Sequence, residues 1–207
     1  MLTYIGAMSE LTLTPKRLEI ADAALKIIGT QGISALTTAT LAAELGVSVG
    51  APFRHFANRE EILEAVAVRV EELILETIPD CECAPLDRIR LLFLSRAKAV
   101  GRHAGIARLM FSEQFTLALP KNAAKRLKQL VTRTRTFLLD ALHEAVERGD
   151  IRADLPVESL LPVAMGTLQH LVFARSLGLN KDAEAAEVAE TLITLLAPCN
   201  LPHSPQA

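Results

Sequence analysis

Residues 37–56 read TTATLAAELGVSVGAPFRHF, and the punctuation of this stretch decides how the chain is organised. Thr37 is placed to cap a helix, because its hydroxyl can accept from a first-turn N–H that has no carbonyl partner within the helix. Leu41, Ala42 and Leu45 then share one face of that helix. Gly46 stands where the helix must end, since glycine takes a left-handed backbone without steric cost. Ser48 is placed to cap a second helix, with Phe53 on its apolar side and Phe56 just beyond its end. Helix, glycine turn and capped helix make a helix-turn-helix, the device that lays a helix in the major groove of DNA. The spacing supports it: the small Ala42 lets two helices approach, and the turn glycine follows four residues later.

Upstream, Thr14 and Pro15 start a helix whose buried stripe is Ile20, Ala24, Ile27 and Ile28, and Gly32 stops it. Downstream, Asn58 caps a long helix with an apolar face from Ile62 to Ile74, ending near Ile78-Pro79. The segment 79–85, PDCECAP, is the clearest break in the chain. Helical periodicity resumes over 86–102, 105–114 and 121–148. Two more helices follow, one from near Pro156 to Gly178 and one over 182–196, with Pro198 as the stop. Alternating β-branched runs are absent, Ala, Leu and Glu are abundant, and there is no Trp. The expected fold class is all-α. It comprises a three-helix DNA-binding domain over 14–63, a helical bundle for ligand binding and dimerisation over 64–198, and loose tails at 1–13 and 199–207.

At 207 residues, half of them hydrophobic, the chain can bury a sizeable core. A net charge of −2 excludes a generally basic coat. The imbalance is local: 45–59 holds no acid, while Arg54, His55 and Arg59 cluster there. A DNA contact is therefore small per subunit, leans on helix N-termini, and favours a dimer. Cys81, Cys83 and Cys199 read as reduced thiols, because cysteines one residue apart rarely bond to each other. Only Asp80 and Glu82 flank the first two, so no metal site is expected. The opening MLTYIGAM lacks a basic leader and a cleavage site, and no apolar run reaches the ~18 residues of a membrane span. The expectation is a cytoplasmic protein with no membrane contact.

A longer string carries more weight than the turn alone: Arg17-x-x-Ile20, Ala23-Ala24, Gly32, Thr37, Leu41-Ala42, Gly46-Val47-Ser48, Gly50, Phe53-x-His55-Phe56, Arg59 and Leu63. Over residues 16–63 it resembles the DNA-binding domain of the tetracycline-repressor (TetR) family of bacterial transcriptional regulators. The resemblance implies a dimeric repressor on a near-palindromic double-stranded DNA operator, with recognition helices about 34 Å apart. It also implies a small-molecule effector that enters the helical domain, shifts the helix after Asn58 and lowers DNA affinity. The DNA contacts it implies are Thr37, Ser48, Ala51, Arg54, His55 and Arg59, with Lys16 and Arg17 as outer phosphate contacts. Val49, Pro52 and Phe53, on the same element, are expected at the DNA-binding face with them. Three of these depart from the usual pattern: Phe53 stands where the family has Tyr, Pro52 falls early in the recognition element, and Val49 replaces a polar residue. Target reading would then lean on thymine methyls and DNA shape. His55 either contacts DNA or packs between Phe53 and Phe56.

In the second half, Phe93, Phe111, Phe115, Phe137 and Phe173, with Met110 and Met165, could jointly line an apolar effector cavity. Singly, each reads as ordinary core. Arg96, Gln169 and His170 are polar residues on otherwise apolar helices, suited to a ligand's polar end, to the surface or to a satisfied buried bond. Small residues among Leu and Val in the last two helices suit a homodimer through a four-helix bundle. No paired carboxylates, Glu-x-x-His or Ser/His/Asp grouping stands out, so neither an enzyme nor a cofactor is expected. The runner-up reading is a DNA-binding protein of the same family with a structural or division role and no effector.

Overall fold

The hydroxyl of Thr14 accepts from the Arg17 amide at 3.4 Å, and Pro15 supplies the fixed φ of a first helical residue, so α1 (Pro15–Gln31) begins where the sequence signals it. The structure is a computed structural model and describes residues 13–103, 105–111, 117–179 and 182–198. Its further helices are α2 (Thr38–Leu45), α3 (Arg59–Leu75), α4 (Pro85–Arg102), α5 (Gly105–Phe111), α6 (Lys121–Glu147), α7 (Val157–Ser176) and α8 (Asp182–Leu196). Short 3₁₀ turns occupy Ile33–Ala35 and Pro52–Arg54. The fold is all-α, and an N-terminal helix-turn-helix is followed by a helical bundle. The tail readings for 1–12 and 199–207, and the roles given to Phe115 and Cys199, lie outside the described residues.

The second helix of the helix-turn-helix differs from the sequence expectation. Ser48 does not cap an α-helix there; its carbonyl accepts from the Ala51 amide at 2.9 Å, and a 3₁₀ turn follows over Pro52–Arg54. The cause is Pro52. In an α-helix its N–H would bond the Ser48 carbonyl, and proline has none to give, so the segment tightens into i→i+3 bonds. Gly50, with its large backbone entropy, further weakens an α-helical alternative.

The connector between α3 and α4 holds a second difference. Cys81 and Cys83, expected as reduced thiols, are joined by a disulfide. Between Pro79 and Pro85 the backbone is irregular, and it brings the two Cα atoms to 5.3 Å, within bonding range. Helix α7 bears on the membrane expectation. It is long and apolar enough to cross a membrane, although Glu158, Pro162, His170 and Arg175 break any continuous run. Of its most apolar stretch, 44% is buried inside the fold.

Helix α3 is the spine. Its Ile62, Leu63, Val66, Val70 and Ile74 are buried in a core that also takes in Ile20, Ala24 and Ile28 of α1, Ile106 and Leu109 of α5, and Leu127 and Leu130 of α6. A second core joins α4, α6, α7 and α8 around Phe93, Phe137, Leu138, Leu161, Leu168 and Leu192. Charged clips reinforce both: Asp22 of α1 takes Arg69 of α3 at 2.8 Å, Arg88 of α4 pairs with Glu144 of α6, and Arg90 of α4 pairs with Glu190 of α8. The DNA-binding end and the bundle thus share one apolar core through α3 and α5.

Candidate functional site

The exposed end of the molecule is built around the start of α2. Thr37 and Thr40 form a capping box without a carboxylate: the Thr40 amide donates to the Thr37 hydroxyl at 3.2 Å, and the Thr37 amide donates to the Thr40 hydroxyl at 3.0 Å. Neither α1 nor α2 carries an acid in its first turn. The positive ends of both helix dipoles therefore remain available to an anion. At the far end of α2, Gly46 takes the left-handed conformation (φ 66°, ψ 32°), and the Val47 amide donates to the Ala42 carbonyl at 3.0 Å, so the chain reverses.

This reversal projects Ser48, Val49, Arg54 and His55 outward with Thr37, all exposed, Val49 at 55%. Ala51 and Phe53 are half-buried, and Phe53 borders a groove with Thr37, Thr38 and Arg59. Pro52 is buried beneath the face, so the sequence expectation that it faces DNA does not match its position. Arg59 is exposed, but its guanidinium is engaged, donating from Nε to the Leu36 carbonyl at 3.1 Å and from Nη2 to Ile33 at 2.8 Å. It braces the loop that holds Thr37. Arg17 lies over the Phe56 ring at 4.3 Å with Glu61 3.9 Å away, and Lys16 pairs with Glu19 at 2.8 Å.

Among the residues of the second half, Arg96, Met110, Phe111 and Gln169 come together around one cavity of about 40 Å³, with Ile74, Met165 and Val172 among its walls. Phe93 and Phe137 lie instead in the second core, and His170 and Phe173 lie on the exposed side of α7. Arg96 is buried. It donates from Nε to the Thr77 hydroxyl at 2.6 Å and from Nη2 to the Thr134 hydroxyl at 3.3 Å. Burial pulls its guanidinium down to about 10. It stays charged at neutral pH.

Sequence reasoning missed three residues here. Thr77 and Thr134 are buried hydroxyls facing Arg96, and Glu71 is buried on α3 where Arg126 and Arg133 of α6 reach it. For Glu71 and Thr134 the signal was a lone polar residue on an apolar helical face, whereas Thr77 follows just beyond α3; only the fold shows that these positions converge. Among the described residues no group of three metal-ligating side chains is assembled.

The profile of "Bacterial regulatory proteins, tetR family" matches residues 20–66, which covers the turn and the start of α3. Over 135 residues the chain is 30% identical to the nucleoid occlusion factor SlmA of Photobacterium profundum, covering 63% of this chain and 68% of that protein. It is 25% identical over 149 residues to the transcriptional repressor KstR2 of Mycobacterium tuberculosis, covering 69% and 72%. The KstR2 structure superposes with a TM-score of 0.70 at 20% identity, covering 89% of this chain and 94% of that one. AibR, solved in complex with isovaleryl coenzyme A and operator DNA, superposes with a TM-score of 0.68 at 16% identity, covering 87% and 97%. At those identities the superpositions speak for the fold, whereas the profile and the SlmA match speak for descent. The chain belongs to the tetR family of bacterial regulatory proteins and is a DNA-binding regulator of that family.

Proposed function

We propose that the protein is a dimeric repressor that binds an operator through the exposed face around α2 and leaves it when a small ligand enters the bundle. The observation that carries the DNA half is the face itself: two helix N-termini free of acid, with Ser48, Arg54 and His55 on a turn that holds no carboxylate. In this reading residues 14–63 are the DNA-binding domain and 64–198 the regulatory one. The α2 N-terminus, Thr37 and Ser48 take phosphates, and Arg54 reaches a phosphate or a base edge. Val49 and Ala51 meet thymine methyls. His55 joins the contact, and Arg59, Arg17 and Lys16 support it at the rim, each shared with a protein partner. Pairing occurs through α7 and α8. The protein works in the cytoplasm, where operator DNA is found.

Support for the ligand half is the cavity at Arg96 and the precedent of AibR, solved with both an acyl-CoA and operator DNA. At about 40 Å³ the cavity holds little more than water, well short of the ~300 Å³ or more of a drug-sized site, so an effector must open it. Movement there reaches the DNA-binding end through α3, which borders the cavity at Ile74. Fluorescence anisotropy with DNA from the protein's own promoter tests the reading. Selective binding at moderate salt, steeply weakened by more salt, supports it; equal affinity for unrelated DNA overturns it.

The SlmA relationship favours a second reading, a nucleoid-occlusion role without an effector. Genome-wide mapping separates the two. A repressor occupies a few promoters, whereas an occlusion factor occupies many dispersed sites and does not respond to small molecules.

A further inference from the structure

We propose that the cavity at Arg96 is a binding site for a small aliphatic carboxylate, an inference that rests on the ligand-responsive reading above and names its effector class. A guanidinium carries five N–H donors in a planar fork matched to a carboxylate. In this fold Arg96 is sealed to 6% exposure, and its described partners are two neutral hydroxyls, with no carboxylate among the described residues paired to it. Both hydroxyls have outlets of their own: Thr77 donates to the Ile74 carbonyl at 2.6 Å and Thr134 to the Leu130 carbonyl at 3.2 Å. They solvate the cation without neutralising it.

A buried charge held by hydroxyls alone among the described residues is costly and is relieved by an anion that arrives with its own apolar cover. The cavity supplies that cover. Ile106, Met110, Met165 and Val172 line it, and Phe111, 42% exposed, stands at its edge beside the exposed Val131 and Gln169, where a ligand would enter. Two of the wall residues are methionines, whose unbranched thioether chains rearrange readily and would let a small space grow to fit a short alkyl tail. A neutral apolar ligand would leave the cation uncompensated, and a dianion would place a second charge against the methionines. One carboxylate on one short chain fits both ends.

The same geometry links binding to DNA. Arg96 holds Thr77, and Thr77 closes the last turn beyond α3, the helix that follows the recognition turn. A carboxylate that captures the guanidinium fork competes with the Thr77 hydroxyl and frees the C-terminal end of α3.

The test measures melting temperature and, separately, binding to the protein's own promoter DNA, with pentanoate and hexanoate against pentanamide and pentanoyl-CoA. Expected is a dose-dependent rise in melting temperature with the two acids and none with the amide. The Arg96→Met variant should weaken acid binding about tenfold or more while staying folded. Arg96→Lys should keep part of the response, and Thr77→Val should bind the acids yet lose their effect on DNA. The proposal is overturned if the amide stabilises as well as the acid, if only the CoA thioester acts, if no acid acts, or if Arg96→Met responds like the parent. Selective DNA binding without any response to acid defeats this inference alone. Acid binding without selective DNA binding defeats the repressor reading and leaves the site standing.

Discussion

At the residue scale, the most sensitive points join the DNA-binding end to the bundle. Glu71 is buried on α3, and Arg126 and Arg133 of α6 both reach its carboxylate, Arg133 at 3.8 Å. Replacing Glu71 by Gln keeps the shape but leaves two guanidinium groups short of a charge partner. A loss of about 2 kcal/mol is expected, seen as a lower urea midpoint with unchanged m-value. Gly105 opens α5 against α1 so closely that an added Cβ would stand 2.2 Å from the Leu25 carbonyl oxygen, a backbone atom that cannot swing aside. Gly105→Ala should therefore cost about 2–3 kcal/mol by overpacking and should weaken DNA binding as α5 pushes on α1; an unchanged midpoint would refute it. His103, which ends α4, reports on the same junction. Burial first, then Arg69 and Arg102, lower its pKa from 6.5 against the pull of Asp22. The fold thus prefers the neutral imidazole, while the unfolded chain takes up a proton near 6.5. Its contribution is complete above 6.5 and is lost as pH falls from there to the depressed native value. A urea titration series should show that slope and should lose it in His103→Gln.

At the element scale, what was legible in the sequence follows local chemistry, and what was not follows competition between local signals. Thr14, Thr37, Asn58 and Gly46 announced three helix starts and one stop, and each does what its type permits: the Asn58 side chain accepts from the Glu61 amide at 2.9 Å, just as Thr37 accepts at Thr40. Ser48 sent the same signal and was overruled four residues later by Pro52, whose missing N–H is felt only once the i→i−4 ladder is counted. The recognition element is accordingly a short rigid turn, and its affinity should rest on few contacts. Arg54→Ala is expected to lower DNA affinity without lowering stability and to reduce the salt dependence by about one counter-ion, measured as the slope of log affinity against log salt. An unchanged slope would remove Arg54 from the phosphate contacts. Thr37→Ala should act differently: loss of the cap costs about 1 kcal/mol of stability, and affinity falls with it because the α2 N-terminus is no longer held.

At the scale of the whole molecule, a stripe along α7 stands exposed among the described residues. Val163, Gly166, His170, Phe173 and Leu177 recur along one exposed side, with Val163 at 52%, Phe173 at 49% and Leu177 at 54% exposure. The sequence showed the helix and its small residues but not which side would stay open, because α7 is apolar nearly all round and only the packing of α4, α6 and α8 chooses its inner face. Gly166 is informative: a Cβ there would meet no atom of this chain, so internal packing does not demand glycine, and an exposed mid-helix glycine costs about 1 kcal/mol against alanine. In the proposed dimer, close approach of the same helix from a second copy would account for it and for the apolar stripe together. Phe173→Glu places a charge at the centre of that stripe without touching either core. The variant should keep its helix content and melting temperature at low concentration, yet sediment as a monomer. If, as proposed, two heads hold a palindromic operator at once, its affinity should fall roughly hundredfold or more, while binding to a single half-site stays as weak as in the parent. A variant that remains dimeric would move the interface off α7, and a monomer that binds the full operator as tightly as the parent would show that pairing is not what assembles the DNA contact.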